Sequence, residues 1–163
     1  MANLRELYQE VILDHNRKPR NFGVLEDATC HAHGYNPLCG DDYTIYARVE
    51  DGVVTALSFE GEGCAVSKAA ASMMTQRLRG KTVEEARRYV EEFRELMLEE
   101  LDEAGEEHLG HLMVFRGVSQ LPNRIKCAVL PWHTLRAALE GDEQVSTEGH
   151  KDEWNDQEGD GDE

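Results

Sequence analysis

Residues 42–60 read DYTIYARVEDGVVTALSFE, and this stretch decides the fold. Residues 42–50 and 53–60 are two strand candidates. Asp51-Gly52 between them is the dipeptide that most strongly marks a two-residue hairpin turn. Working outward, the preceding ATCHAHGYN (28–36) alternates small and polar residues and supplies a third strand to pair with them. Three strands are enough to present one apolar face for helices to cover. After Gly61-Glu62-Gly63 the pattern changes: residues 65–79 are rich in Ala and Met without Pro or Gly, so they form a helix, with Gly80 placed as its C-terminal stop.

Thr82, with Glu85 three residues on, is a capping box opening a second helix through VEEARRYVEEFRELMLEELDE. Val83, Ala86, Val90, Phe93 and Met97 give that helix one apolar stripe. Helical stretches follow near 111–118 and over 127–139, where Pro131 implies a kink or a restart. At the other end, Leu4, Leu7, Tyr8, Val11 and Ile12 fall at helical spacing over residues 3–15, and HNRKPRNFG ends that helix. The expected class is α+β: a small antiparallel three-stranded sheet covered by helices.

The chain has 163 residues, the size of one ordinary domain, and 40% of them are hydrophobic. Its formal net charge is −16, which opposes binding to nucleic acid in the absence of a dense basic cluster. Residues 141–163 hold ten acidic side chains against Lys151, a net of −9 that leaves −7 for residues 1–140. The expected organisation is therefore one folded domain over 1–140 and an acidic, disordered tail over 141–163. No run is apolar enough to span a bilayer, and the opening residues lack a signal peptide's apolar stretch, so the expected location is cytoplasmic.

In that compartment four cysteines point to thiol or metal chemistry before disulfides. Cys39, Cys64 and Cys127 all lie at predicted element ends, where distant segments can converge; Cys30 reads as a plain strand residue. Gly40 and Gly63 let the backbone approach an ion closely. Cys64 falls at a helix N-terminus, which stabilises a thiolate. Asp41 offers an oxygen donor from the Cys39 loop. Three thiolates and a carboxylate would complete a tetrahedral zinc site, with Arg124 and Lys126 as compensating charges. The separations match no paired-knuckle pattern, so three unrelated buried thiols stand as an equal alternative. The seven histidines form no tight ligand cluster.

The strings Tyr35-Asn-Pro-Leu-Cys-Gly-Asp-Asp42, Glu60-Gly-Glu-Gly-Cys64 and Arg124-Ile-Lys-Cys-Ala128, the last followed by Leu130 and Trp132, resemble the NifU N-terminal/IscU family of iron–sulfur assembly proteins, and within it the SufU-like branch. The resemblance runs from the opening helix to about Leu139. It implies an α+β fold and a metal set of Cys39, Asp41, Cys64 and Cys127. Two features favour the SufU-like branch: Lys126 stands where the IscU scaffold has a histidine, and the long 82–110 stretch resembles that branch's insertion.

By this resemblance the chain is a zinc-dependent sulfur acceptor, a possible sulfurtransferase. It would take persulfide sulfur from a pyridoxal-phosphate cysteine desulfurase (SufS-like) and supply downstream iron–sulfur assembly components. Cys39 would be released from the metal when the partner docks and would accept the sulfur, assisted by Arg124. The alternatives are an assembly scaffold that binds an Fe–S cluster on the same cysteines, and a zinc module whose metal only holds the fold. Lys68 and Pro131 depart from the family pattern without touching the ligand set.

Overall fold

The computed structural model describes residues 4–141 and 144–146. In chain order they form α1 (Leu4–Arg17), β1 (Cys30–Asn36), β2 (Asp41–Glu50), β3 (Val53–Glu62), α2 (Ala65–Leu78), α3 (Val83–Met97), α4 (Glu103–Leu109), a 3₁₀ segment (Gly110–Gln120), α5 (Pro122–Leu139) and β4 (Gln144–Ser146).

The three expected strands pair antiparallel, β1 with β2 and β2 with β3. Asp51 and Gly52 both take positive φ, 54° and 77°, as the tight primed turn between β2 and β3 requires. Along β2, Asp41, Tyr43, Ile45 and Ala47 are buried, while the residues between them face outward. One face of the sheet is therefore core and the other meets solvent. β4 adds a short fourth strand parallel to β1, giving the order β3-β2-β1-β4. The sheet edge thus takes in three residues that composition assigns to the tail, because the outer backbone groups of β1 accept a pairing partner whatever its side chains. Apart from Gly141, the rest of the expected disordered tail lies outside the described residues.

α2 is buried along most of its length, including Ala69, Ala70, Ala71, Met73, Met74 and Leu78. α3 opens at Thr82 with the expected capping box, and its stripe buries Ala86, Val90, Phe93 and Met97. Phe93 stacks on Trp132 of α5 with ring centroids 4.7 Å apart and meets Phe115 edge-on at 5.6 Å. β1 and α5 approach so closely at Gly34 that a Cβ there would collide with Thr134.

Three expected helix boundaries are corrected. The helix expected over 83–103 ends at Met97, because Glu99 turns to positive φ (61°) and Asp102 caps a new helix by accepting the Gly105 N–H at 2.8 Å. The stretch near 111–118 is 3₁₀ rather than α and extends over Gly110–Gln120. The last helix begins at Pro122, five residues before Cys127, since proline at the first helical position gives up only an N–H with no helical partner. It also continues through Pro131 to Leu139, although Pro131 has no N–H to offer the Cys127 carbonyl one turn back.

Lys68, the departure on α2, places its Nζ 5.7 Å from the ring centre of Phe22, which itself packs on Phe59. No helix among the described residues is long and apolar enough to cross a membrane.

Candidate metal centre

The site lies where the β1–β2 turn, the N-terminus of α2 and the second turn of α5 meet. Asn36 and Asp41 are register partners, so residues 37–40 form a short loop carrying Cys39 outward. Gly40 closes it with φ 76° and an N–H bond of 2.8 Å to the Asn36 carbonyl. Of the four cysteines, all free, only Cys39 is exposed, whereas Cys127 is fully buried.

Cys39, Asp41 and Cys127 each bring one ligand atom to within 4.8 Å of the others. The Sγ atoms of Cys39 and Cys127 are 3.4 Å apart. Tetrahedral zinc, with Zn–S near 2.3 Å, sets its sulfurs about 3.8 Å apart, so this donor pair suits one such ion with little adjustment. Cys64 stands beside this triad as the N-cap of α2, where its Sγ accepts the Ser67 N–H at 3.5 Å. Its own N–H donates to Asp41 Oδ1 at 2.9 Å. Two thiols, a carboxylate and a neighbouring third thiol form the soft, anionic donor chemistry that zinc takes.

Electrostatics couple these groups. Hydrogen bonding from Cys127 pulls the Cys64 thiol toward the thiolate against the opposing effect of burial, and the Ser67 N–H adds to the pull. The Cys127 thiol is pushed the other way by its bond to Cys64, by burial and by Cys39. Arg124 is held charged by the negative charge at Cys64 and by hydrogen bonding to Cys127. Its guanidinium thus answers to the sulfurs, while the Asp41 oxygens are taken up by Asn36, the Cys64 N–H and Ser67. Arg124 and Lys126 also line an open cavity of about 880 Å³ with Leu38, Cys39 and Ile125.

Cys30 lies apart in β1, its thiol shifted upward by burial, 3.9 Å from the Ala47 carbonyl. Three residues around the site carried no role in the sequence reading. Asn36 is fully buried, with Nδ2 3.3 Å from Asp41 Oδ2. Ser67 donates to Asp41 Oδ1 at 3.2 Å, and Tyr43 shares a 3.0 Å bond with Ser67. The available signal for Asn36 was its position: it and Asp41 bracket the four-residue Pro-Leu-Cys-Gly loop, so hairpin pairing sets them opposite each other.

Comparison with known proteins places the chain in a family. The family model for the NifU-like N terminal domain matches residues 7–128. The zinc-dependent sulfurtransferase SufU of Bacillus subtilis is 41% identical over 143 residues, spanning 87% of this chain and 95% of that protein. The iron–sulfur cluster assembly scaffold protein IscU of Thermotoga maritima is 40% identical, over 82% of this chain and 92% of its own. The crystal structure of FiSufU from Fervidobacterium islandicum AW-1, named for an iron–sulfur cluster assembly scaffold of the SUF system, superposes with a TM-score of 0.76. It shares 36% identity over 82% of this chain and 96% of that one. A match over residues 7–128, with relatives aligned along most of both chains, makes this protein a member of the NifU-like N-terminal domain family.

Proposed function

We propose that this chain is a zinc-dependent sulfur acceptor that takes persulfide sulfur from a cysteine desulfurase and passes it into iron–sulfur cluster assembly. One observation carries the reading: an exposed thiol on a four-residue loop, Cys39, lies 3.4 Å from the buried thiol of a helix, beside a buried carboxylate. Cys39, Asp41, Cys64 and Cys127 are the residues that would hold the metal. Bound zinc would keep the thiols deprotonated and protect them from oxidation. The name of the Bacillus relative, a zinc-dependent sulfurtransferase, supports the same assignment.

The chain's own residues divide the work. Asp41 and Cys127 are buried within β2 and α5, and Cys64 caps α2, so none of them moves without disturbing an element. Cys39 is free of that constraint. Its thiolate attacks the outer sulfur of a persulfide on the partner; a new S–S bond forms on Cys39 as the partner's S–S bond breaks, and the partner's cysteine leaves as a thiolate. The exchange needs no oxidant, since one persulfide is converted into another. Arg124, whose charge is drawn to these sulfurs, stabilises the anions on both sides of the step. The cavity walled by Leu38, Arg124 and Lys126 gives a partner segment access to Cys39.

A scaffold reading, in which the same cysteines carry an Fe–S cluster, draws support from the Thermotoga relative. Metal analysis with an optical spectrum separates the two. Protein purified from its host should contain one zinc per chain and be colourless; iron with visible absorption and no zinc would establish the scaffold instead.

A further inference from the structure

Asn36 ends β1 opposite Asp41, at the root of the loop that carries Cys39. Its side chain is fully buried and engages three different parts of the site. Oδ1 accepts the Leu38 N–H at 3.2 Å, which fixes the first turn of the loop. Nδ2 donates to Asp41 Oδ2 at 3.3 Å and lies 3.8 Å from Cys127 Sγ, within reach of a sulfur acceptor. The opposite amide orientation would aim a carbonyl oxygen at the Asp41 carboxylate and an NH₂ at the Leu38 N–H, so the chemistry of the neighbours fixes which end is which. An aspartate in this place would add a negative charge to a pocket already lined by three thiols and a carboxylate, and would offer no donor. A serine would not reach both Asp41 and Cys127.

We propose that Asn36 is a positioning residue of the metal centre: its amide clamps Asp41 and Cys127 together and ties down the loop's root, leaving Cys39 as the one donor able to swing away. This inference rests on the metal reading given above. It explains how a loop of only four residues can release one ligand without unravelling the site. The movable sulfur is exposed, while the clamp and the two groups it grips are buried. Partners of this kind, behind the ligands themselves, set ligand orientation, and their loss typically weakens metal binding by about 10- to 100-fold.

The test uses the full chain with Asn36→Asp and Asn36→Ala. Zinc affinity is measured by chelator competition, ligand geometry by the visible bands of the cobalt(II)-substituted protein, and folding by thermal melting of the metal-free form. The expected result is zinc binding about 10- to 100-fold weaker in both variants, with altered cobalt bands. Asn36→Asp preserves shape, so it decides the matter if the alanine variant does not fold. Zinc affinity and cobalt bands indistinguishable from wild type would overturn the proposal. So would a loss of affinity that merely tracks an equal loss of metal-free stability. If wild type itself binds neither zinc nor cobalt, the metal reading fails first, and that outcome is distinct from variants that match a metal-binding wild type.

Discussion

Replacing Gly63 by alanine probes the space behind Asp41 with a single methyl group. Gly63 precedes the N-cap of α2, and its backbone lies outside the left-handed region, so alanine meets no conformational penalty there. Its Cβ would stand 2.5 Å from Ser67 Oγ and from Tyr43 Oη, and 2.6 Å from Asp41 Oδ1. All three neighbours are fully buried and bonded to one another, so none can swing into solvent. Overpacking of this kind costs about 1–3 kcal/mol. Weakening one bond of the Tyr43–Ser67–Asp41 chain adds about 0.5–1.5 kcal/mol. The sum, roughly 1.5–4.5 kcal/mol, corresponds to a fall in Tm of roughly 3–18 °C for a chain of this size. Thermal melting of the metal-free protein measures it, and chelator competition should show weaker zinc binding as Asp41 is displaced. Gly117→Ala is the control: nothing lies within 4 Å of its Cβ, so stability should change by no more than about 1 kcal/mol. An unchanged Tm and zinc affinity in Gly63→Ala would refute the claim that Asp41 is wedged in place by its neighbours.

Thr82→Ala removes the side chain that accepts the Glu85 N–H at 3.0 Å and should cost about 1 kcal/mol, a fall in Tm of roughly 2–4 °C, with zinc content unchanged; no shift would mean that the cap of α3 contributes nothing to stability. His15 is buried against Ser72 Oγ at 2.6 Å, and burial, aided by the charge of Arg20, holds its pKa down to about 4. Below its ordinary value of 6.5 the unfolded chain takes up a proton that the folded chain refuses. Its stabilising contribution is therefore complete above pH 6.5 and is lost as pH falls toward 4. At pH 5 that loss is on the order of 2 kcal/mol, so urea unfolding of His15→Gln should show a shallower fall in stability between pH 7 and pH 5 than wild type; parallel pH curves would refute it.

The hairpin was legible because Asp51-Gly52 leaves few alternatives to a tight turn, and the start of α3 because Thr82 and Glu85 satisfy each other's backbone donors. The end of α3 was not. Residues 98–103 are good helix formers, and what stops the helix is the competing cap at Asp102 together with the tertiary contacts of the 3₁₀ segment. β4 was hidden for a related reason: a strand edge pairs through backbone groups, to which composition is blind. At the site, loop and helix-end placement, which is local information, set Cys39, Cys64 and Cys127 apart from Cys30, and the structure brings the Sγ atoms of Cys39 and Cys127 to 3.4 Å. Spacing alone could not bring Cys127 to Cys39, because that contact depends on α5 packing across β1 at Gly34. Asn36 went unassigned because an asparagine at a strand end reads as an ordinary turn former until Asp41 and Cys127 are seen on either side of its amide.

The central claim is that Cys39 is the thiol that accepts sulfur. Zinc-loaded chain should be incubated with a cysteine desulfurase and free cysteine under non-reducing conditions, and its peptides then weighed. The account expects one added sulfur on the peptide containing Cys39 and none on those containing Cys64 or Cys127. Sulfur on either of the latter, or on no cysteine while the desulfurase is turning over, would contradict it.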